Sequence, residues 1–324
     1  MRVKKILLCS ALALMFIVST SLSAAAAAKQ LSIYSGSTGG TFYALGGAIA
    51  ASLNKHVEGV SVSSSASGGS IDNLNLLHAG DADLGIVGNS MIGFAWEGQA
   101  PFKQKIQDVR AIGMVYPDVF QLVVAQAAGA KTLGDLKGKR IVVGPGGGHT
   151  PLLTEAFLKT VGLDMKKDLT AMQAGFADAA AQLKDGHVDA SSTILAVPAS
   201  SILELKATSA IEVMSFPNDV ISKVVAQFPA YESFTIPANT YGNAAPIQTI
   251  ACYAILLCRA ELDEETVYKL TKAYFEYGNE IAATHAAGKY IKLELGLTGV
   301  AITPLHPGAA RYYKEKGVKI PAGL

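Results

Sequence analysis

Two glycine-rich segments have the residue types and spacing to do chemistry: SGSTGGT from Ser35 to Thr41 and GPGGGHT from Gly144 to Thr150. Each follows a short apolar run and precedes apolar residues at helical spacing. Without Cβ atoms, backbone N–H groups can converge on a ligand, and the unpaired first-turn donors and dipole of a helix favour negative charge. The chemistry implied is capture of an anion, not bond making. His149 adds an imidazole at the second turn. As an imidazolium it would contribute about 1.5–3 kcal/mol through a charge-assisted bond to a carboxylate, and otherwise it is a solvent-exposed histidine at a helix start.

Other chemistries fit poorly. GPGGGHT has no Lys before Thr150, so it lacks the reach of a nucleotide-binding P-loop, and His149 stands where a dinucleotide fingerprint needs its last glycine. The histidines at 56, 78, 149, 187, 285 and 306 form no metal-ligand spacing, and the cysteines have no neighbouring histidine in sequence, so neither metal nor thiol chemistry is expected. No cofactor is implied. Arg110, Arg140, Arg259 and Arg311 leave a bidentate clamp possible but unassigned.

The elements that position the turns read as strand, loop, helix, twice over. Leu31 and Ile33 alternate as in a strand, and Phe42, Leu45, Ile49 and Leu53 recur at helical spacing after the first turn. Arg140 to Val143 is the second strand, and Leu153, Phe157 and Val161 mark the helix after the second turn. Thr41, Ser70 and Thr150 are expected N-caps. Leu77-x-x-Gly80-x-x-Asp83 and Leu183-x-x-Gly186-x-x-Asp189 share one spacing, each beyond its own glycine turn. Turn, helix stop and strand recurring in order imply an α/β fold of two similar lobes. Ligands of such sheets bind beyond the carboxyl ends of strands, where both turns fall, so a cleft between the lobes is expected. Asn89 and Ser90 follow a buried strand and so join the candidates, and Tyr43, one turn into the first helix, is a weaker one. The apolar runs Phe120 to Ala125 and IQTIACYAILLC are expected to cross between lobes. Asp263 is read as the cap of a helix carrying Val267, Leu270, Tyr274 and Tyr277, and the segment from Pro307 to Gly317 as a helix packing back on the first lobe.

Arg2, Lys4 and Lys5, the apolar run Ile6 to Val18 and small residues to Ala28 read as a signal peptide over residues 1–28. The 27 basic residues less those three leave 24 against 26 acidic ones, a formal charge of −2, which argues against nucleic acid. Cys252 and Cys258 would sit roughly 20 Å apart along a strand, too far to bridge. At 50% hydrophobic and 16% charged residues, a large core is expected.

Five segments in order, SGSTGGTFYALGGAIA, SGGSIDNLNLLHAGDADLGIVGNS, LGDLKGKRIVVGPGGGHT, DEETVYKLTKAYFE and PLHPGAARYYKEKG, resemble the TAXI family of solute-binding proteins. The resemblance implies a type II periplasmic binding-protein fold, with lobe I over 29–120 and 252–324, lobe II over 121–251, and two crossing strands. It further implies a monomeric periplasmic receptor, cleaved near Ala28, that delivers a small carboxylate such as glutamate, glutamine or 2-oxoglutarate to the membrane subunits of a TRAP transporter. By matching motif positions, ligand-binding residues are Thr38, Gly39, Gly40, Thr41 and Tyr43; Gly68, Gly69 and Ser70; Asn89 and Ser90; and Gly147, Gly148, His149 and Thr150. The family carries serine then glycine where this chain has Gly148 and His149, and a Gln-Ser-Asp-like stretch at Gly88, Asn89 and Ser90, which implies a change in the acid accepted. Two rivals remain: a solute-sensing subunit for a membrane kinase, and a secreted enzyme using His149 as general base, for which no nucleophile is evident.

Overall fold

A computed structural model describes residues 28–324. The expected signal peptide, save Ala28, lies outside the described residues. The first half runs β1 (Lys29–Tyr34), α1 (Thr41–His56), β2 (Val60–Ser65), α2 (Ser70–Ala79), β3 (Leu84–Gly88) and α3 (Asn89–Glu97). The long strand β4 (Val109–Ala125) then leads into β5 (Arg140–Val142), α4 (Thr150–Lys159), β6 (Thr170–Met172), α5 (Phe176–Lys184), β7 (Ala190–Leu195), α6 (Ser200–Thr208), β8 (Ile211–Val213), α7 (Asn218–Gln227) and β9 (Glu232–Ile236). A second long strand, β10 (Ile247–Arg259), returns to α8 (Glu264–Glu276), α9 (Gly278–Thr284) and α10 (Pro307–Glu315).

The strand order β2-β1-β3-β10-β4-β7-β5-β6 reads the same from either end by role. β1 lies parallel between β2 and β3 as β5 lies between β6 and β7, while β3 runs antiparallel to β10 as β7 does to β4. The repeated sequence punctuation has a matching cause. Gly80 and Gly186 end α2 and the turn after α5 at φ 81° and 72°, the left-handed region glycine enters at no steric cost. Asp83 then accepts the backbone N–H of Ser32 at the base of β1 (2.8 Å), and Asp189 that of Arg140 at the start of β5 (2.8 Å). Each carboxylate also takes a guanidinium, Arg259 at 2.7 Å and Arg140 at 2.8 Å.

β4 and β10 pair from Val109 with Arg259 to Val119 with Ala251. Both change their other neighbours over the same few residues: β10 leaves β3 at Ala254 and meets β9 from Ala251, and β4 meets β7 from Val119. One hydrophobic cluster takes residues from Leu31 to Tyr116 and from Ala254 to Tyr313, with Ala196; two others draw only on residues between Val119 and Cys252. α10 packs on α8, with Tyr312 stacked on Phe275.

Asp263 caps α8, its Oδ1 accepting from Thr266 N at 2.8 Å. The other cap expectations need correction. Gly40, Gly69 and His149 hold the N-cap positions of α1, α2 and α4, and Thr41, Ser70 and Thr150 are first helical residues. Nor does the α4 stripe reach Val161, which lies beyond the helix and is 41% exposed. Cys252 and Cys258 are both buried and unbridged on β10.

Candidate functional site

Three turns meet at one cavity of about 30 Å³: Gly40 and Thr41 from the first glycine turn, Gly68, Gly69 and Ser70 before α2, and Gly148, His149 and Thr150 from the second. α1 and α4, the helices that follow the two glycine turns, both open on this space. Asp118 of β4 and Phe176 at the start of α5 complete the wall. Among the described residues, no arginine lines it. Arg110 donates to backbone carbonyls, Arg140 and Arg259 pair with Asp189 and Asp83, and Arg311 pairs with Glu264 and Glu265. An anion placed here would meet helix ends and hydroxyls.

The loops are closed on each other by two related sets of bonds. Gly147 O accepts from Ile71 N (3.0 Å) and Asp72 N (3.1 Å) at the first turn of α2, and Thr38 O accepts from Ala177 N (3.1 Å) at the first turn of α5. Ile71 and Ala177 stand equally far before Leu77 and Leu183 of the repeat. Each half thus lends a turn carbonyl to the orphan donors of the other half's second helix. Thr41 Oγ1 accepts from Ala196 N (3.1 Å), and Ser37 Oγ takes the N–H of Phe176 (3.4 Å). Gly68 sits so close to Gly146 that a Cβ would overlap its carbonyl oxygen.

Several expected ligand residues therefore do something else. Thr38 and Gly147 supply the closing carbonyls, and Gly39 packs on Ala177 at φ 78°. Tyr43, 43% exposed, does not line the cavity. Asn89 is spent on structure: its amide donates to Gly299 O and accepts from Tyr253 N, both at 3.1 Å. Ser90 is buried and flanks the Cys252 thiol together with Tyr231. Ser70 lines the cavity, but its Oγ also accepts from Gly88 N at 2.9 Å. Asn89 instead borders a larger cavity of about 270 Å³ with Ile92, Tyr253 and Val300, mainly apolar and without converging helix ends.

His149 is neither exposed nor an imidazolium. It is buried, and burial pushes its pKa down to about 4, so a neutral ring faces the cavity. Its Nε2 has no hydrogen-bond partner. Asp118 went unread in the sequence, although an aspartate inside the apolar run Val115 to Phe120 is the kind of buried charge that needs a reason. Tyr116 O–H donates to its Oδ1 at 2.9 Å, yet burial wins and lifts the carboxyl to about 7. The expectation of no metal-ligand grouping also needs correction. Ligand atoms of Asp118, His149 and Cys252, all buried, lie within 4.8 Å of one another. Sequence spacing missed them because they come from β4, the second glycine turn and β10.

The model of the NMT1-like family matches residues 33–317. Among solved structures, a binding-protein component of an ABC phosphonate transporter from Pseudomonas aeruginosa aligns over 82% of this chain and 80% of its own, at 11% identity and a TM-score of 0.57. A protein of Bordetella bronchiseptica aligns over 90% of each chain at 19% identity and 0.54. A structure described as a periplasmic transporter covers 89% of this chain and 92% of its own at 16% and 0.51. The fold is that of type II periplasmic binding proteins: two α/β halves joined by two crossing strands. Among the described residues, no helix is long and apolar enough to cross a membrane.

Proposed function

This chain belongs to the NMT1-like family, and from that premise we propose that it is a periplasmic receptor that closes on a small anion and presents it to a membrane transporter. The observation that carries the reading is the convergence of α1 and α4, one from each half of the sheet, on one cavity. Their N-terminal donors and dipoles favour negative charge, and the proton on Asp118 below about pH 7 removes the nearest opposing charge. We further assign it to the TAXI type of TRAP transporter, on the five sequence segments, with a carboxylate as the anion. Its lobes are residues 29–120 with 252–324, and 121–251; it acts as a monomer, its leader cleaved near Ala28.

The closed loops leave a small space, about 30 Å³, so a carboxylate headgroup fits and a molecule of glutamate's size requires the loops to part. Opening and closing is then the working step, driven by a ligand that touches both halves in the closed form only. Native mass spectrometry of the freshly purified mature protein should show a small acid carried along. Calorimetry with glutamate, glutamine, 2-oxoglutarate and an alkyl phosphonate should give micromolar binding, about 8 kcal/mol, for one carboxylate. Preference for the phosphonate would replace the carboxylate, and heat from none of the four, with no carried mass, would sink the receptor reading. Turnover of a bound acid would overturn it in favour of an enzyme.

A further inference from the structure

We propose that Asp118, His149 and Cys252 form a buried three-ligand site for Zn²⁺, with its fourth coordination position directed into the cavity. The three side chains offer an oxygen, a nitrogen and a sulfur within 4.8 Å of one another, and all are buried. That mixed set suits zinc, a borderline-soft ion that takes carboxylate, imidazole and thiolate alike, and three protein ligands with one open position is its usual reactive arrangement. Binding requires the atoms to draw in to about 3.3–3.7 Å apart, the edge length set by zinc–ligand bonds near 2.0–2.3 Å.

Four features point to this use. His149 Nε2 is buried without a hydrogen-bond partner, a costly state for a core nitrogen, and metal coordination satisfies it. The same atom and Cys252 Sγ border the space left by the missing side chain of Gly88, where a Cβ would stand 3.3 Å and 3.5 Å from them. Tyr116 O–H already holds Oδ1 of Asp118, fixing the carboxylate and leaving Oδ2 to ligate, as outer partners of metal sites do. Finally, Asp118 and His149 line the cavity and Cys252 does not, so an ion reaches the three ligands from the cavity side. A thiolate and a carboxylate together offset the dication, so the positive ends of α1 and α4 face a neutral centre. An anion oxygen can then serve as fourth ligand; that last step alone rests on the receptor reading.

The test uses the whole mature protein stripped with a chelator and titrated in the absence of any added acid, so that failure of the receptor reading leaves the result intact. Competition against a chromogenic chelator should give one Zn²⁺ per chain with Kd below about 1 μM. Co²⁺ should bind in its place with tetrahedral absorption bands and a near-ultraviolet thiolate charge-transfer band. Asp118→Asn and Cys252→Ser, both isosteric, and His149→Gln should each weaken Zn²⁺ by at least about a hundredfold, with Cys252→Ser also erasing the charge-transfer band. Cys258→Ser, the other buried thiol of β10, should change neither. Absence of stoichiometric binding, a cobalt spectrum without the thiolate band, or equal losses from Cys258→Ser and Cys252→Ser would overturn the proposal. Near-ultraviolet circular dichroism checks that each variant is folded, and either isosteric variant alone decides the matter.

Discussion

β1 and β5 hold matching places in the sheet, each parallel to two neighbours and each followed by a glycine turn and a helix, yet their surroundings differ where side chains reach the cavity. Gly40 caps α1, whereas His149 caps α4. Ser70 begins α2 with a hydroxyl in the cavity wall, whereas Phe176, at the matching position of α5, brings a phenyl ring. What the halves share is backbone machinery: the left-handed glycine stops, the aspartates that hold the first strand, and the turn carbonyls that latch onto the partner helix. What they do not share is chemistry. The repeat builds a closable cleft, and the departures from it decide what the cleft accepts. At Gly40 even a Cβ would press on Ser37 O at 2.9 Å and on Phe176, so the first half has no room for a counterpart of His149.

The largest expected effect breaks the shared latch. Gly68→Ala places a methyl group on Gly146 O, an atom of the opposite half, and also presses on the flexible Asp72 carboxylate of its own half. The loops should stay parted, with a larger radius of gyration by small-angle X-ray scattering and faster amide exchange at Ile71 and Ala177. Affinity for the anion identified by native mass spectrometry should fall about a thousandfold, near 4 kcal/mol. Wild-type scattering and affinity in this variant would mean that the closing bonds do not govern binding.

The shared plan was the legible part. Leu-x-x-Gly-x-x-Asp recurs because a left-handed stop and an acceptor for a strand N–H are local needs that few residue types meet, and both aspartates perform that duty. The core faces of α1 and α8 were readable for the same reason. The site was read less well, because its parts are joined by tertiary closure. Nothing local to Asn89 announces that Gly299 and Tyr253 will claim its amide. Thr38 and Gly147 act through their backbone carbonyls, which no residue type advertises. The Asp118, His149 and Cys252 grouping draws on three distant elements, so only the fold brings it together.

Titrating the residues unique to the cavity sharpens the difference between the halves. Asp118 has a raised folded pKa, so its contribution to stability is complete below the ordinary carboxylate value near 4 and is lost as pH climbs through about 7. His149 is the reverse: its contribution is present above its ordinary 6.5 and is lost as pH falls through about 4. From pH 4 to 6.5 the two slopes oppose, and metal-free wild-type protein should show nearly flat stability. Asp118→Asn should unmask a rise of about 3 kcal/mol with increasing pH, and His149→Gln a fall of similar size, by urea denaturation at each pH. Parallel profiles for all three proteins would separate these residues from any shared proton balance.

The smallest effect probes whether the matching aspartates are matched in energy. Asp83 and Arg259 are 17% and 21% exposed, whereas Asp189 and Arg140 are 20% and 46% exposed, so water already competes for the second pair. Asp83→Ala removes the acceptor of the Ser32 N–H and leaves the partly buried Arg259 guanidinium with Glu261 alone, and should cost about 2 kcal/mol. Asp189→Ala should cost less than half of that. The second loss should also depend on acid in a defined direction. The Arg140 hydrogen bond holds Asp189 below the usual carboxylate range, so its contribution is present above about pH 4 and is lost as pH falls through the lowered folded value. Wild type and Asp189→Ala should therefore converge in strong acid. Equal losses at neutral pH would show that the strand-anchoring hydrogen bond, identical in both halves, carries the energy, and that the exposure of the arginine does not matter.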